Sequence, residues 1–144
     1  SNSDTFVGVV DVGTTSNTVG AADVLDGGKG ADTLAITVAD DGVAGVNPAT
    51  LTAMSTSNIE TISVRNVDAG GGTLTVSGSN FVGATEFVSD RSTAITDFDN
   101  IGKADFTVKG NGSITNAATK IEVGATAVTD AFILNIKDGV KAGN

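Results

Sequence analysis

The sequence predicts an all-β protein built as a parallel β-solenoid. Its 144 residues include 47 Val, Ile and Thr, which favour strands, and 19 Gly, which supply turns. There are six Phe and one Pro, with no Trp or Tyr. A chain of this length suits one domain, and its core must be built from small and medium-sized side chains. We therefore expect a single all-β domain over residues 1–144, with a β-sandwich as the alternative.

Seven short apolar or alternating segments are bounded by Gly, Asn, Asp or Ser and are predicted to be strands. They are Leu34–Val38, Ile59–Val64, Thr73–Val76, Ala84–Ser89, Ala104–Val108, Lys120–Val123 and Ala131–Ile136. Steps of 28, 25, 19 and 28 residues separate five of their apolar side chains, which are Leu34, Ile62, Phe87, Phe106 and Leu134. Such steps suit solenoid coils, whereas a sandwich would show tight turns like Asn111-Gly112 throughout. We expect these five residues to stack as a ladder in the core.

The first 41 residues contain a calcium-binding pattern. The segment Gly27–Ala35 fits every fixed position of the nonapeptide G-G-x-G-x-D-x-U-x, and Asp23 precedes Asp32 by nine residues. In this motif the glycines turn carbonyls inward, the Asp adds a carboxylate and the apolar residue enters the core. The predicted calcium ligands are Asp4, Asp23, Asp26, Gly27, Gly28, Gly30 and Asp32. Because Asp4 lies nineteen residues before Asp23, not eighteen, we also expect one bulged residue between their coils.

With this nonapeptide, the chain resembles the RTX family of calcium-binding secreted proteins. The segment Asn58-Ile59-Glu60-Thr61-Ile62-Ser63-Val64 and the Thr- and Val-rich rungs after it look like the calcium-dependent surface-layer (S-layer) proteins of Gram-negative bacteria. The resemblance implies a structural protein that is secreted, binds calcium and self-associates into a lattice on the bacterial cell surface. It also implies contact with lipopolysaccharide or glycan through other parts of a longer parent chain. The alternative is a ligand- or glycan-binding segment of an RTX adhesin or exoprotein.

A second acidic cluster lies at Thr96-Asp97-Phe98-Asp99-Asn100, followed by Asp105 and Phe106, and is similar to the "TDF…D" element of RTX proteins. Asp97 and Asp99, from one turn, and Asp105, from a neighbouring coil edge, are candidates for a second calcium site. The cluster is not an EF-hand, because Gly and Glu are missing from loop positions six and twelve. The alternative is a solvated turn with Phe98 and Phe106 in the core.

Residues 42–57 are predicted to leave the solenoid as an excursion. Pro48 can open a helical turn there, and Ala49–Met54 can complete it. Residues 1–41 before this excursion are the predicted RTX-like coils. Residues 58–144 after it are predicted to be Thr- and Val-rich β rungs.

Composition and charge exclude several classes of function. Without His or Cys, the chain lacks the side chains of the common nucleophilic and metal-dependent catalytic sites. A glycosidase carboxylate pair lacks its usual aromatic platforms, so we do not expect an enzyme. The net charge of −9 and eight scattered Lys and Arg argue against nucleic acid, and no apolar stretch predicts membrane insertion. Arg91, Lys103 and Lys109 are expected on a solvated face, with contact to an anionic glycan left open.

Overall fold

The computed structural model describes residues 2–11, 17–39, 50–51, 53–68, 70, 72–110, 119–121 and 133–137. These ranges contain eleven strands and one 3-10 turn at Gly78–Asn80. The strands are β1 (Thr5–Asp11), β2 (Val24–Asp26), β3 (Thr33–Ala39), β4 (Ser55–Ser57), β5 (Thr61–Asn66), β6 (Leu74–Ser77), β7 (Glu86–Asp90), β8 (Thr96–Asp99), β9 (Asp105–Lys109), β10 (Thr119–Ile121) and β11 (Leu134–Lys137).

All strand pairing in the described part of the chain is parallel. A six-stranded sheet has the order β1-β3-β5-β7-β9-β11, a three-stranded sheet the order β10-β8-β6, and a two-stranded sheet joins β2 to β4. Parallel neighbours cannot be joined by tight hairpins, so the chain must travel around the molecule before it returns to each sheet. This confirms the parallel β-solenoid, and the alternative of an antiparallel sandwich is wrong.

The predicted apolar ladder is present in the six-stranded sheet. Leu34, Ile62, Phe87, Phe106 and Leu134 are successive register partners, and Phe6 precedes them on β1. Leu34, Ile62 and Phe106 are fully buried, and Phe87 is 1% exposed. Leu134 has the predicted register but is 51% exposed, so the last described rung is not part of the buried core.

Aromatic rings fill the space between the six-stranded and three-stranded sheets. Phe98, on β8, packs edge-to-face against Phe106 at a centroid distance of 4.8 Å and against Phe87 at 6.3 Å. Phe98 is fully buried because its neighbours on β8 alternate outward while it points into the core. The turn that we expected at Asp97–Asp99 is therefore wrong, since this segment is strand β8.

The helical turn expected over Ala49–Met54 does not form in the described part of that range. Thr50 makes an isolated parallel bridge with Thr75, and the Leu51 N–H donates to the Thr75 carbonyl at 2.8 Å. Leu51 and Met54 are buried, and β4 pairs with β2. The described residues from 50 to 57 thus run along the solenoid, because extended backbone there finds both hydrogen-bond partners and core contacts. Pro48, Ala49 and Thr52 lie outside the described residues, as do residues 111–112, 122–123 and 131–132 of the other sequence predictions.

Candidate calcium site

The loop Gly27–Asp32 connects β2 to β3 at one edge of the solenoid. Its glycines are required locally, because Gly28 and Gly30 have φ angles of +78° and +150° that side-chain-bearing residues rarely adopt. The Gly27 N–H donates to the carbonyl of Ser57 at 3.0 Å, which fixes the loop against the next coil. The nine-residue step between Asp23 and Asp32 also has a simple basis: one precedes β2 and the other precedes β3, on two different sheets.

The Asp32 carboxylate lies inside this loop and is fully buried. Its Oδ1 accepts the backbone N–H of Asp4 at 2.6 Å, whereas Oδ2 has no hydrogen-bond partner in the protein. A buried carboxylate oxygen without a partner is costly, since it has lost its water and gained nothing in exchange. Asp32 Oδ2 is therefore an oxygen that a ligand would satisfy.

Two backbone carbonyl oxygens lie near the same carboxylate, where two glycines have no side chain. A Cβ placed on Gly27 would lie 2.7 Å from Asp32 Oδ2 and closer still to the carbonyl oxygen of Asn58. A Cβ on Gly30 would lie 3.3 Å from Asp32 Oδ1 and would collide with the carbonyl oxygen of Asn2. Carboxylate and carbonyl oxygens are the donor set that calcium prefers, so these residues fit a calcium ion, which would be held by Asp32 and the neighbouring carbonyls.

An acidic column runs along this edge, with one member immediately before each of β1, β3 and β5. Its members are Asp4, Asp32 and Glu60, separated by 28 residues each. The Asp32 N–H donates to Glu60 Oε2 at 2.8 Å, and the Glu60 N–H returns a bond to the Asp32 carbonyl at 3.1 Å. The coil neighbour of Asp4 is thus Asp32 and not Asp23, so the expected bulge between Asp4 and Asp23 is wrong. The equal 28-residue spacing was visible in the sequence and would have identified Glu60.

Two other predicted ligands are used as hydrogen-bond acceptors in turns. Asp23 Oδ2 accepts the N–H of Gly20 at 2.7 Å. Asp26 is exposed, and its Oδ1 accepts the Asn58 side-chain amide at 2.8 Å and the Gly28 N–H at 3.0 Å. The hydrogen bond from Asn58 lowers the pKa of Asp26 most, and the bond from Gly28 lowers it further. Asp26 therefore ties the glycine loop to the following coil.

The residues of the predicted second site are divided between two sheets. Asp97 and Asp99 lie on β8 in the three-stranded sheet, while Asp105 begins β9 in the six-stranded sheet. Asp105 Oδ1 accepts the Ile133 N–H at 3.1 Å, and Asp99 Oδ1 is buried without a partner. Within the described ranges, no three acidic side chains form a group that could hold a metal ion. Any ion at Asp32 must therefore draw on backbone oxygens, and a site at Asp97, Asp99 and Asp105 stays a prediction.

The chain was compared with known protein families, curated proteins and solved structures. No family model matches the chain, and no match is found among curated proteins or among solved structures. In the part of the chain that the structure describes, no helix has the length and apolar character needed to cross a membrane.

Proposed function

We propose that this chain is a structural segment of a secreted, calcium-dependent bacterial S-layer protein that self-assembles on the cell surface. The observation that carries the proposal is the buried Asp32 carboxylate, whose Oδ2 has no hydrogen-bond partner in the protein and which has the carbonyl oxygens of Asn58 and Asn2 nearby. A calcium ion at this point would neutralise the buried charge and join adjacent coils. The proposal thus assigns the glycine loop a stabilising role in the solenoid.

The architecture supports a structural role. Each coil of a solenoid contacts mainly its neighbours, so stability is approximately a sum of local coil stabilities and contacts between adjacent coils. An ion shared between the coils of Asp4, Asp32 and Asn58 would strengthen the contacts between adjacent coils. This matters in a chain whose only aromatic residues are six Phe. Such a segment is rigid in the presence of calcium and weakened by its removal, which suits a protein that works outside the cell, where calcium is plentiful.

The proposal is tested by thermal unfolding in calcium and in chelator. A ligand that binds only the native state stabilises it by about 2.7 kcal/mol at a hundredfold excess over its Kd. We expect Asp32→Asn to remove most of this response. Without calcium, the same variant should be at least as stable as the parent protein, because the amide keeps an oxygen for the Asp4 N–H and no longer leaves a buried carboxylate oxygen without a partner.

The matched control is Glu86→Gln, which removes one negative charge at the start of β7, two strands beyond β3 in the six-stranded sheet. This variant should keep the calcium response of the parent protein. Identical melting curves of the parent protein in calcium and in chelator would contradict the calcium proposal directly.

The second candidate function is a ligand- or glycan-binding segment of an RTX adhesin or exoprotein. Electron microscopy of the chain with calcium separates the two functions. Ordered two-dimensional sheets support the lattice, whereas saturable glycan binding by a protein that stays monomeric supports adhesion.

A further inference from the structure

Basic side chains gather at one end of the outer face of the six-stranded sheet. Strand alternation places Arg65 on the outer face of β5, Lys109 on that of β9 and Lys137 on that of β11. Asp90 occupies the same row on β7, in register with Lys109, which is in turn in register with Lys137. Arg91 follows Asp90 directly. We call Arg65, Arg91, Lys109 and Lys137 the basic row.

Asp90 is the acidic side chain in this row. Both its oxygens accept from Arg91, at 2.8 and 2.9 Å. The Arg91 bond lowers the pKa of Asp90, with smaller contributions from the charges of Arg91, Lys109 and Arg65, while partial burial opposes them. The Arg65 and Lys109 side chains therefore lie close enough to act on one carboxylate.

Positive charge remains after this pairing. Lys109 and Lys137 are register partners on neighbouring strands, whose backbones lie about 4.8 Å apart, and like charges in such a pair repel. In the described part of the chain, Arg91 with Asp90 is the salt bridge observed. One carboxylate against four cations leaves this row positive, on a chain whose net charge is −9. Such a local concentration of positive charge suits an anionic partner.

We propose that the basic row binds a linear anionic polysaccharide that lies along the solenoid axis, with its sulfate, phosphate or carboxylate groups against Lys109 and Lys137 and, beyond Asp90, against Arg65. The direction of the row supports this geometry, because Lys109 and Lys137 are register partners one strand step of about 4.8 Å apart along the axis, and Asp90 separates Lys109 from Arg65. A sugar unit in an extended glycan advances by a similar distance. A duplex nucleic acid is less favoured, since it is usually bound by a larger basic surface on a basic domain.

The inference is independent of the calcium site and is tested with dextran sulfate, using neutral dextran as the control ligand. Binding is measured by isothermal titration calorimetry with the parent protein at low and at high sodium chloride, in constant calcium. We expect binding to dextran sulfate that weakens with salt, and no binding to dextran. The double substitution Lys109→Gln and Lys137→Gln should weaken binding about tenfold, because each exposed charge contact contributes a factor of up to about five.

The matched control is Lys103→Gln with Lys120→Gln, which changes the net charge equally but lies outside the basic row, Lys120 being on β10 of the three-stranded sheet. It should bind dextran sulfate as the parent protein does. An equal loss in both double variants would overturn the proposal, because net charge alone would then explain the binding. Tighter binding of duplex DNA than of dextran sulfate would also overturn it. Light scattering without ligand tests a further outcome. If the parent protein is a dimer and the double variant Lys109→Gln with Lys137→Gln is a monomer, the partner of the basic row is a second copy of the chain and the proposal is wrong.

Discussion

The backbone N–H of Asp4 donates a 2.6 Å hydrogen bond to Oδ1 of Asp32, which lies 28 residues later in the chain. The N–H of Asp32 makes the corresponding bond to Oε2 of Glu60, again 28 residues later. Each carboxylate therefore binds the backbone of the preceding coil just before a strand begins. Because the same residues also begin neighbouring strands of one sheet, this edge fixes the register of β1, β3 and β5.

Adding a methyl group at Gly27 should disrupt this edge. A Cβ there would overlap the Asn58 carbonyl and lie 2.7 Å from Asp32 Cβ and Oδ2, so the backbone must move. We expect Gly27→Ala to lower the free energy of unfolding by about 1–3 kcal/mol, a typical cost of overpacking. Chemical denaturation without calcium measures this cost separately from any effect on ion binding.

The control for Gly27→Ala is Gly20→Ala, where an added Cβ would meet nothing within 4 Å. This substitution should leave the protein equally stable or stabilise it by up to about 1 kcal/mol, through the lower entropy of the unfolded chain. If both substitutions have the same effect, the close approach at Gly27 does not matter for stability.

The core ladder predicts a large cost for truncating its central aromatic residue. Phe87 is 1% exposed, is in register with Ile62 and Phe106 on its two sides, and contacts the rings of Phe81 and Phe98. We expect Phe87→Ala to cost about 3–5 kcal/mol in urea-induced unfolding. Phe6→Ala should cost much less, because Phe6 is only half-buried and pairs with Leu34 on one side in the described sheet. Equal losses would mean that the ladder does not determine core stability.

Assembly should depend on calcium specifically. Subunits with a net charge of −9 repel one another, and calcium shared between carboxylates relieves that repulsion more than a monovalent salt of the same ionic strength. Light scattering should therefore detect association in calcium chloride and little in sodium chloride. Magnesium is the control for divalent charge, since it sheds its water reluctantly and demands octahedral geometry. Identical association in all three salts would point to apolar contacts instead.

The Asp90–Arg91 pair predicts a limited sensitivity to acid. Arg91 lowers the pKa of Asp90 below its usual 3.8 in the folded protein, so the pair stabilises the fold above that pH. The contribution is lost as the pH falls through the lowered value and Asp90 becomes protonated. Melting temperatures measured across acidic pH should fall less steeply for Asp90→Asn than for the parent protein. Arg91→Gln should flatten the curve similarly, and an unchanged slope in both variants would contradict the pairing.

Much of the fold was predictable because strand patterns are local. The alternation of apolar and polar side chains in segments such as Thr33–Ala39 has a period of two residues, which a short stretch of sequence displays by itself. The recurrence of Leu34, Ile62, Phe87 and Phe106 at coil-sized steps then predicted which side chains stack. At Thr96–Asp99 the same reasoning failed, because the acidic flanks of Phe98 suggested a turn. Packing of Phe98 against Phe106 stabilises this segment as a strand.

The sequence by itself determined the all-β class, the apolar ladder and the conformational need for glycine at positions 28 and 30. Only the tertiary structure decided that Asp4, Asp32 and Glu60 share one edge, that Asp97 and Asp105 lie on different sheets, and that Lys109 and Lys137 stand side by side. The physical reason is that residues in neighbouring coils meet through strand register. Register depends on the length and path of every segment between two strands, and no local pattern records that path.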